Sequence, residues 1–243
     1  MEKKADSKKR GIPFWLQIIL ILLCGALVSG AVYLLTQSKL AAEREAKKPR
    51  YTVTFAYQDG TVIDTRQVKE GAGTFPPEFE TDGVFQGWSS AFNEVKSDVE
   101  VHPMTYELAG DENLFCFDSV YVQEGETFSI AVRLAGDVNI SAAEIGIDYD
   151  AEVMDYMQAS PQAFCTVSES ETGTLLLTLD SGAPIKEETT LATITFRAKK
   201  MDVYSTQINL RCISGTLSVD GKETPATVST INNKIYYLQE VSR

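Results

Sequence analysis

Short runs of alternating apolar and polar residues recur about every ten residues between positions 112 and 240, and this rhythm constrains the fold more than any other feature. Turn residues separate the runs, for example Glu124-Gly125 and Asp220-Gly221. Many short strands with glycine-marked turns and few helical periods are typical of a β-sandwich or jelly roll. About 130 residues suit one domain of this kind. The sequence therefore predicts a mostly β protein with a sandwich domain over residues 112–240.

The alternation also predicts which side chains face the core, because successive residues of a strand point to opposite faces of the sheet. We expect inward rows on three of the runs: Phe128, Ile130, Val132 and Leu134; Ala143, Ile145, Ile147 and Tyr149; and Leu175, Leu177 and Leu179. The outward rows of the last two runs contain Ala142, Glu144, Gly146, Asp148, Thr174, Leu176 and Thr178. An outward leucine between two threonines is either a single exposed residue or part of an interface patch.

An uncharged, apolar run of 24 residues at 13–36 predicts a transmembrane helix, because this length crosses a bilayer core of roughly 30 Å. Five lysines and arginines crowd residues 1–12, which favours a cytoplasmic tail there and an extracellular body. A cleavable signal peptide, cut at Ser29-Gly30-Ala31, is the alternative, and it too places the body outside the cytoplasm. Residues 37–50, rich in Ala, Glu, Lys and Arg, are predicted to form a stalk.

A second, smaller β module is predicted over residues 51–107. The run "YTVTF" and a run that resumes at Val62 flank Asp59-Gly60, which indicates a hairpin. The order of "YTVTF", "VFQGWS" and "VKSDVEV" resembles the Listeria–Bacteroides repeat, a β-grasp-like module of bacterial surface proteins. The resemblance implies a spacer or adhesion module without catalysis. Phe85 and Trp88 are expected in its core rather than on a carbohydrate-binding platform.

Charge and residue content exclude several functional classes. The chain has a net charge of −12, and because residues 1–50 carry ten Lys and Arg against four Asp and Glu, residues 51–243 carry −18. A body this acidic repels nucleic acid. His102 is the single histidine, so neither a Ser-His-Asp nor a Cys-His arrangement is expected.

The acidic stretch "IDYDAEVMDY" is the strongest candidate for a metal site or a catalytic site. Its four carboxylates are Asp148, Asp150, Glu152 and Asp155. They lack the spacing and the turn glycine of an EF-hand calcium loop, and a solvated strand end does not provide the cleft that a hydrolase needs. We therefore expect structural carboxylates, no cofactor and no enzymatic activity. Cys116, Cys165 and Cys212 are expected to be buried free thiols, with a Cys116–Cys212 disulfide as the alternative.

Residues 112–240 resemble a cohesin. The motifs that carry the resemblance are, in order, "VYVQEGETFSIAVRLAG", "NISAAEIGIDYDAEVMD", "TGTLLLTLDSG", "LATITFRAK" and a late "GTLSVDGKE" hairpin. "IDYDAEVM" is the most specific, with Ala151 where the family typically has proline. The resemblance implies a nine-stranded jelly roll that binds calcium-loaded dockerin domains of secreted glycoside hydrolases. It also implies that Ala142 and Glu144 occupy the positions of an Asn-x-Asp contact pair, and that Leu176 matches an apolar dockerin contact.

Together these features predict a single-pass, membrane-anchored cell-surface protein of a Gram-positive bacterium. Its outward face around Glu144 and Leu176 is predicted to dock a dockerin-bearing or other secreted protein, with the calcium carried by the partner. Direct binding of a polysaccharide by the same sandwich is the first alternative; it requires exposed aromatic side chains, and the candidates are Tyr121, Tyr156 and Tyr204. A structural spacer or adhesin subunit is the second alternative.

Overall fold

The computed structural model describes residues 14–108, 113–136, 139–199, 203–219, 222–225 and 228–238. The chain divides into two compact units, residues 1–49 and residues 50–243. The tail predicted at 1–12 lies outside the described residues. In the first unit, the helix α1 (Phe14–Ala46) contains residues 14–36 of the run predicted to cross a membrane and most of the predicted stalk. Within the described residues, no helix is long and apolar enough to cross a membrane, so the predicted transmembrane helix is not confirmed.

Residues 50–108 form a small β module. Its strands are β1 (Arg50–Ala56), β2 (Val62–Lys69), β3 (Val84–Trp88), β4 (Val99–Val101) and β5 (Pro103–Tyr106). β1 and β2 pair as the predicted antiparallel hairpin, and Gly60 in its turn has φ +87°, which glycine adopts without steric cost. β4 runs parallel to β1, and β3 pairs with β5. No helix is present within residues 50–108, so the β-grasp-like architecture is not confirmed.

The remaining strands build a two-layered sandwich. They are β6 (Asn113–Cys116), β7 (Val120–Val122), β8 (Thr127–Gly136), β9 (Ile140–Asp148), β10 (Met154–Pro161), β11 (Cys165–Glu171), β12 (Thr174–Ile185), β13 (Thr189–Ala198), β14 (Ser205–Val219), β15 (Lys222–Pro225), β16 (Ser229–Thr230) and β17 (Asn233–Tyr237). One sheet has the order β10-β13-β8-β6-β16, and the other has β11-β12-β9-β14-β17-β7 with β15 added to β14. The predicted sandwich is confirmed, although the described residues form twelve strands here rather than nine, because short pairings such as β7 and β16 are separate strands.

One hydrophobic core lies between the two sheets. Every residue of the inward rows predicted on β8, β9 and β12 is buried and belongs to this core. Burial of each large apolar side chain contributes about 1.5–3 kcal/mol. A slip of one residue in any of these strands would turn its whole inward row to solvent, so the alternation fixes the register. The predicted orientation of the three strands is confirmed.

A second core joins the module to the sandwich. It contains Phe55, Phe85, Trp88 and Phe92 from the module and Tyr121, Tyr236 and Leu238 from the sandwich. Tyr121 stacks on Tyr236 with ring centroids 4.6 Å apart, and on Phe92 with centroids 5.3 Å apart. Phe85 and Trp88 are 7% and 3% exposed, which confirms that they are core residues. Residues 50–243 are therefore one compact body, and the domain boundary predicted near residue 110 lies inside it.

Candidate protein-binding face

The residues predicted to contact a partner lie on β9 and β12, which are neighbours in one sheet. Gly146 stands opposite Leu176, Glu144 opposite Thr178, and Asp148 opposite Thr174. The structure thus brings the seven predicted residues together on the outer side of the sheet: Ala142, Glu144, Gly146, Asp148, Thr174, Leu176 and Thr178. We call this surface the β9–β12 face.

Most of the β9–β12 face is partly open to solvent. Leu176 is half-buried, whereas Leu175 and Leu177 on either side of it are completely buried. Gly146 is different, because the side chain of Arg211 lies over it and buries it. A Cβ atom at Gly146 would stand 2.9 Å from Nη2 of Arg211. This corrects the prediction that Gly146 is an open part of the face.

Side-chain contacts hold the two carboxylates of the face. Thr174 Oγ1 donates to Asp148 Oδ1 at 3.1 Å, and Arg211 Nε lies 3.5 Å from Asp148 Oδ2. Ser214 Oγ donates to Glu144 Oε2 at 3.5 Å, which is a long hydrogen bond. Because the partners come from β12 and β14, the face carries two negative charges positioned by the neighbouring strands.

β14 completes the face, although none of its residues was among those predicted to contact a partner. It runs antiparallel to β9, with Arg211 opposite Gly146 and Ser214 opposite Glu144. A register shift just before Ser214 inserts Ile213, whose side chain is 48% exposed. The outer surface of the sheet therefore extends from β12 across β9 to β14.

Of the two β14 residues that extend the face, Arg211 and Ile213, only Arg211 could be placed on the outer side from the sequence. Ile208 and Leu210 alternate with polar residues and are both buried, and this pattern indicates that Arg211 faces outwards. The bulge at Ile213 has no such indication, because a bulge depends on how the strand pairs with its neighbour.

A hollow of about 580 Å³ adjoins the face on the β14 side. Asp148 and Arg211 line one part of it. Polar and apolar residues line the rest: Asn209, Ser229, Thr230 and Asn232, together with Leu210, Cys212 and Val228. Asn232 also has a structural role, since its Oδ1 accepts a hydrogen bond from the Leu210 amide at 2.8 Å. The hollow offers hydrogen-bonding groups next to the Asp148–Arg211 ion pair.

Two of the remaining carboxylates of "IDYDAEVMDY", Asp150 and Asp155, have local partners. Asp150 Oδ1 accepts a hydrogen bond from the Glu152 amide at 2.9 Å in the turn after β9. Asp155 lies 2.5 Å from Lys199 Nζ, which also donates to the Ala151 carbonyl at 2.7 Å. Among the described residues, no group of three or more His, Cys, Asp or Glu side chains is arranged to hold a metal ion. These contacts give both carboxylates a structural role: Asp150 stabilises the turn after β9, and Asp155 pairs β10 with Lys199.

The three cysteines of the sandwich are free thiols. Cys116 and Cys165 are buried, as predicted, whereas Cys212 is half-buried. Burial raises the pKa of the Cys116 and Cys165 thiols to about 11, because the thiolate loses its hydration. Because Cys116 and Cys212 are both free, the alternative Cys116–Cys212 disulfide is not formed.

The three candidate tyrosines do not form an exposed row for a sugar. Tyr121 is 9% exposed because the module covers it, and burial raises the pKa of its phenol. Tyr204 is half-buried, with its ring centroid 5.3 Å from that of Tyr236. Tyr156 is half-buried with its ring 6.2 Å from Phe196. A planar aromatic platform is therefore not built from these residues.

The sandwich is similar to known proteins. The family model described as "Cohesin domain" matches residues 115–236. Among solved structures, the chain is similar to the seventh ScaB type I cohesin of Pseudobacteroides cellulosolvens, with 14% identity, a TM-score of 0.49, and coverage of 54% of this chain and 95% of that one. It is also similar to the sixth cohesin of Acetivibrio cellulolyticus scaffoldin B, solved with a Cel5 dockerin, with 17% identity, a TM-score of 0.45, and coverage of 52% and 99%.

A non-cellulosomal cohesin of the archaeon Archaeoglobus fulgidus matches with 13% identity, a TM-score of 0.43, and coverage of 52% of this chain and 91% of that one. A comparison with curated proteins finds no match. Family membership rests on the family model, which matches half of the 243 residues and covers most of the sandwich. The chain belongs to the cohesin family.

Proposed function

We propose that this chain is a non-catalytic binding protein whose β9–β12 face docks a secreted protein with a dockerin domain. Leu176 carries the proposal: it is half-buried on the outer side of a strand whose inward leucines are completely buried. An apolar side chain held open beside positioned carboxylates has the character of a small protein-binding patch. Cohesins of Acetivibrio cellulolyticus and Clostridium thermocellum have been solved in complex with dockerins. The calcium of the complex is expected in the dockerin.

The face departs from the pattern that the resemblance to dockerin-binding cohesins implies. Ala142 stands where an asparagine side chain is expected, and Glu144 stands where an aspartate is expected. Loss of one buried polar contact typically weakens an interface by about 2 kcal/mol or more. We therefore expect this cohesin to select a dockerin, or another secreted protein, that does not need the missing amide.

Binding of the full chain to a panel of purified dockerin domains tests the proposal. We expect binding with calcium and its loss with EDTA. Leu176→Asp and Glu144→Arg should each raise the Kd about tenfold or more, because they place a charge or a reversed charge in the interface. Met157→Asp is the matched control, since Met157 is 53% exposed on β10 in the other sheet. Its Kd should equal that of the unmodified chain.

The same experiment separates the alternatives. Retention on a polysaccharide without calcium, and no retention of any dockerin, would replace the proposal by carbohydrate binding. If the chain retained neither a dockerin nor a polysaccharide, the alternative of a structural spacer would be favoured.

We also propose that the apolar run at 13–36 anchors this body to the membrane, with the body outside the cell. The support is the uncharged run at 13–36 and the five lysines and arginines that precede it. Extraction with alkaline carbonate and digestion of intact cells with an external protease test this. Release of the chain by carbonate, or protection of residues 50–243 from the protease, would contradict it. N-terminal sequencing of the mature protein shows whether Ser29-Gly30-Ala31 is cut.

A further inference from the structure

Arg211 places a cation in the middle of the β9–β12 face. It stands opposite Gly146, and its guanidinium group covers that glycine. Leu176 stands opposite the same glycine from the β12 side. Along β9, Gly146 is midway between Glu144 and Asp148. The guanidinium group therefore lies next to the apolar residue of the face and between its two carboxylates.

The hydrogen-bonding capacity of Arg211 is mostly unused within the protein. Its one ion pair, from Nε to Asp148 Oδ2, has a length of 3.5 Å, and the side chain is 58% exposed. In the part of the chain that the structure describes, neither of its terminal NH2 groups has a hydrogen-bond acceptor. A guanidinium group holds its donors in a planar fork that fits a carboxylate through two parallel hydrogen bonds. Arg211 thus presents an open carboxylate-binding fork.

Glu144 presents the opposite charge at a defined distance. The Cα atoms of residues i and i+2 of a strand are about 7 Å apart. This is the distance from Glu144 to Gly146, the residue that Arg211 covers. Ser214 is the one hydrogen-bond partner of Glu144 among the described residues, at 3.5 Å. The face therefore offers a hydrogen-bond acceptor, Glu144, and a donor fork, Arg211, at fixed positions along β9. Leu176 stands opposite Gly146, the residue that the fork covers.

We propose that Arg211 selects the partner by binding an aspartate or glutamate side chain of the docked dockerin. This inference rests on the proposed function of the β9–β12 face and specifies the chemistry of its partner. Glu144 contacts a basic or hydroxyl-bearing side chain of the same partner. This second contact lies two residues along β9 from Gly146, the residue that Arg211 covers. A dockerin with a basic residue opposite Arg211 is rejected, because like charges at an interface cost several kcal/mol.

The hollow beside the ion pair gives the partner's carboxylate a place to bind. It has a volume of about 580 Å³, and its lining contains Arg211, Asn209 and Thr230 together with the apolar residues Leu210 and Val228. A carboxylate there would be held by the guanidinium fork and by neutral polar groups, and it would replace the long contact between Arg211 and Asp148. The competing carboxylate of Asp148 keeps its hydrogen bond from Thr174, so it is not left without a partner.

Substitutions in the full chain test the inference against a dockerin that binds it. Arg211→Glu should raise the Kd about 30-fold or more, and Arg211→Lys about fivefold, because lysine keeps the charge and loses the fork. Gly146→Ala should also raise the Kd, since its Cβ atom displaces the guanidinium group and the backbone there has no positive φ. Arg197→Glu, an exposed residue of β13 in the other sheet, is the matched control and should leave the Kd unchanged.

Two further measurements exclude a merely structural role for Arg211. The thermal unfolding midpoint of each Arg211 variant should match that of the unmodified chain, because an exposed charge contributes little to stability. Replacing the dockerin's acidic residues one at a time with lysine should identify one variant that binds the Arg211→Glu chain more tightly than the unmodified dockerin does. That reciprocal rescue identifies the bound carboxylate.

The outcomes separate this inference from the proposed function. An unchanged Kd for Arg211→Glu, with binding lost in Leu176→Asp, overturns the role of Arg211 and leaves the docking face in place. An unchanged Kd in both variants overturns the docking face, and so does a panel in which no dockerin binds; the inference then fails with it.

Discussion

The side-chain amide of Asn233, on β17, donates through Nδ2 to the main-chain carbonyl of Phe85, on β3, at 3.0 Å. The same nitrogen donates to the carbonyl of Phe117. Asn233 is 2% exposed, so it satisfies two backbone acceptors that have little access to water. Because β3 belongs to the small module and β17 to the sandwich, this one side chain links the two halves of the body.

Asn233→Leu should reduce the free energy of unfolding by about 2 kcal/mol or more, because it leaves the Phe117 carbonyl without a donor. The Phe85 carbonyl loses one of its two donors and keeps the Ser119 amide at 2.9 Å. Urea unfolding measures the change. Asn209→Leu is the control: Asn209 is exposed on β14, and surface substitutions usually change stability by no more than about 0.5 kcal/mol. An equal effect of the two substitutions would contradict the structural role of Asn233.

Gly87 lets a tyrosine of the sandwich approach the backbone of the module. Its φ is +131°, and a Cβ atom would stand 2.5 Å from the phenolic oxygen of Tyr236, which donates to the Gln86 carbonyl at 3.2 Å. Gly87→Ala should therefore cost about 2–4 kcal/mol of stability, from backbone strain and from the clash with a buried ring.

Gly60→Ala provides the comparison for Gly87→Ala in the same unfolding assay. Gly60 also has a positive φ, at +87°, but no atom lies within 4 Å of its Cβ position. Only the backbone conformation opposes alanine there, at a cost of about 1–2 kcal/mol. If the two variants lost the same stability, the contact with Tyr236 would not matter.

The orientation of the main strands could be predicted because it depends on local sequence. Ile145, Ile147, Leu175 and Leu177 are all completely buried, and each pair is separated by one residue that points away from the core. A β-strand with this pattern has only one way to bury its apolar row. The positions of Glu144 and Leu176 on the outer side follow from the same alternation.

What covers each face could not be predicted, because it depends on the order of strands within the sheets. Arg211 covers Gly146 since β14 lies beside β9, although 65 residues separate them in sequence. Tyr121 is buried because the module packs on it, and neither run contains a pattern that indicates this contact. Local alternation states which side a residue is on, and long-range pairing decides whether that side is open.

The buried thiols make the protein less stable at alkaline pH. The pKa of Cys116 and Cys165 is about 11 in the folded protein and 9.0 for an ordinary thiol. Between those values the unfolded chain has lost protons that the folded chain retains, so the free energy of unfolding falls as the pH rises. The slope approaches about 1.4 kcal/mol per pH unit for each thiol.

Urea unfolding at several pH values between 8 and about 10.5 measures this slope. The double variant Cys116→Ala, Cys165→Ala should be less stable at pH 8, because it loses buried volume, and its stability should fall less steeply with pH. Burial also raises the pKa of five tyrosines, which add a further fall in stability near and above pH 10 in both proteins: Tyr121, Tyr149, Tyr204, Tyr236 and Tyr237. Parallel slopes for the two proteins would show that the thiols do not titrate in this range.

The shared core predicts that residues 50–243 unfold in one cooperative step. Tyr121, Tyr236 and Leu238 of the sandwich are buried against Phe55 and Trp88 of the module, so melting the module alone would expose part of the sandwich to water. In a Trp15→Phe variant, Trp88 is the only tryptophan and its fluorescence reports the module. We expect its urea transition to coincide with the loss of the β-sheet circular dichroism signal, which comes mostly from the sandwich. A Trp88 transition at lower urea would instead show that the module is a separate folding unit, attached to a sandwich that is stable without it.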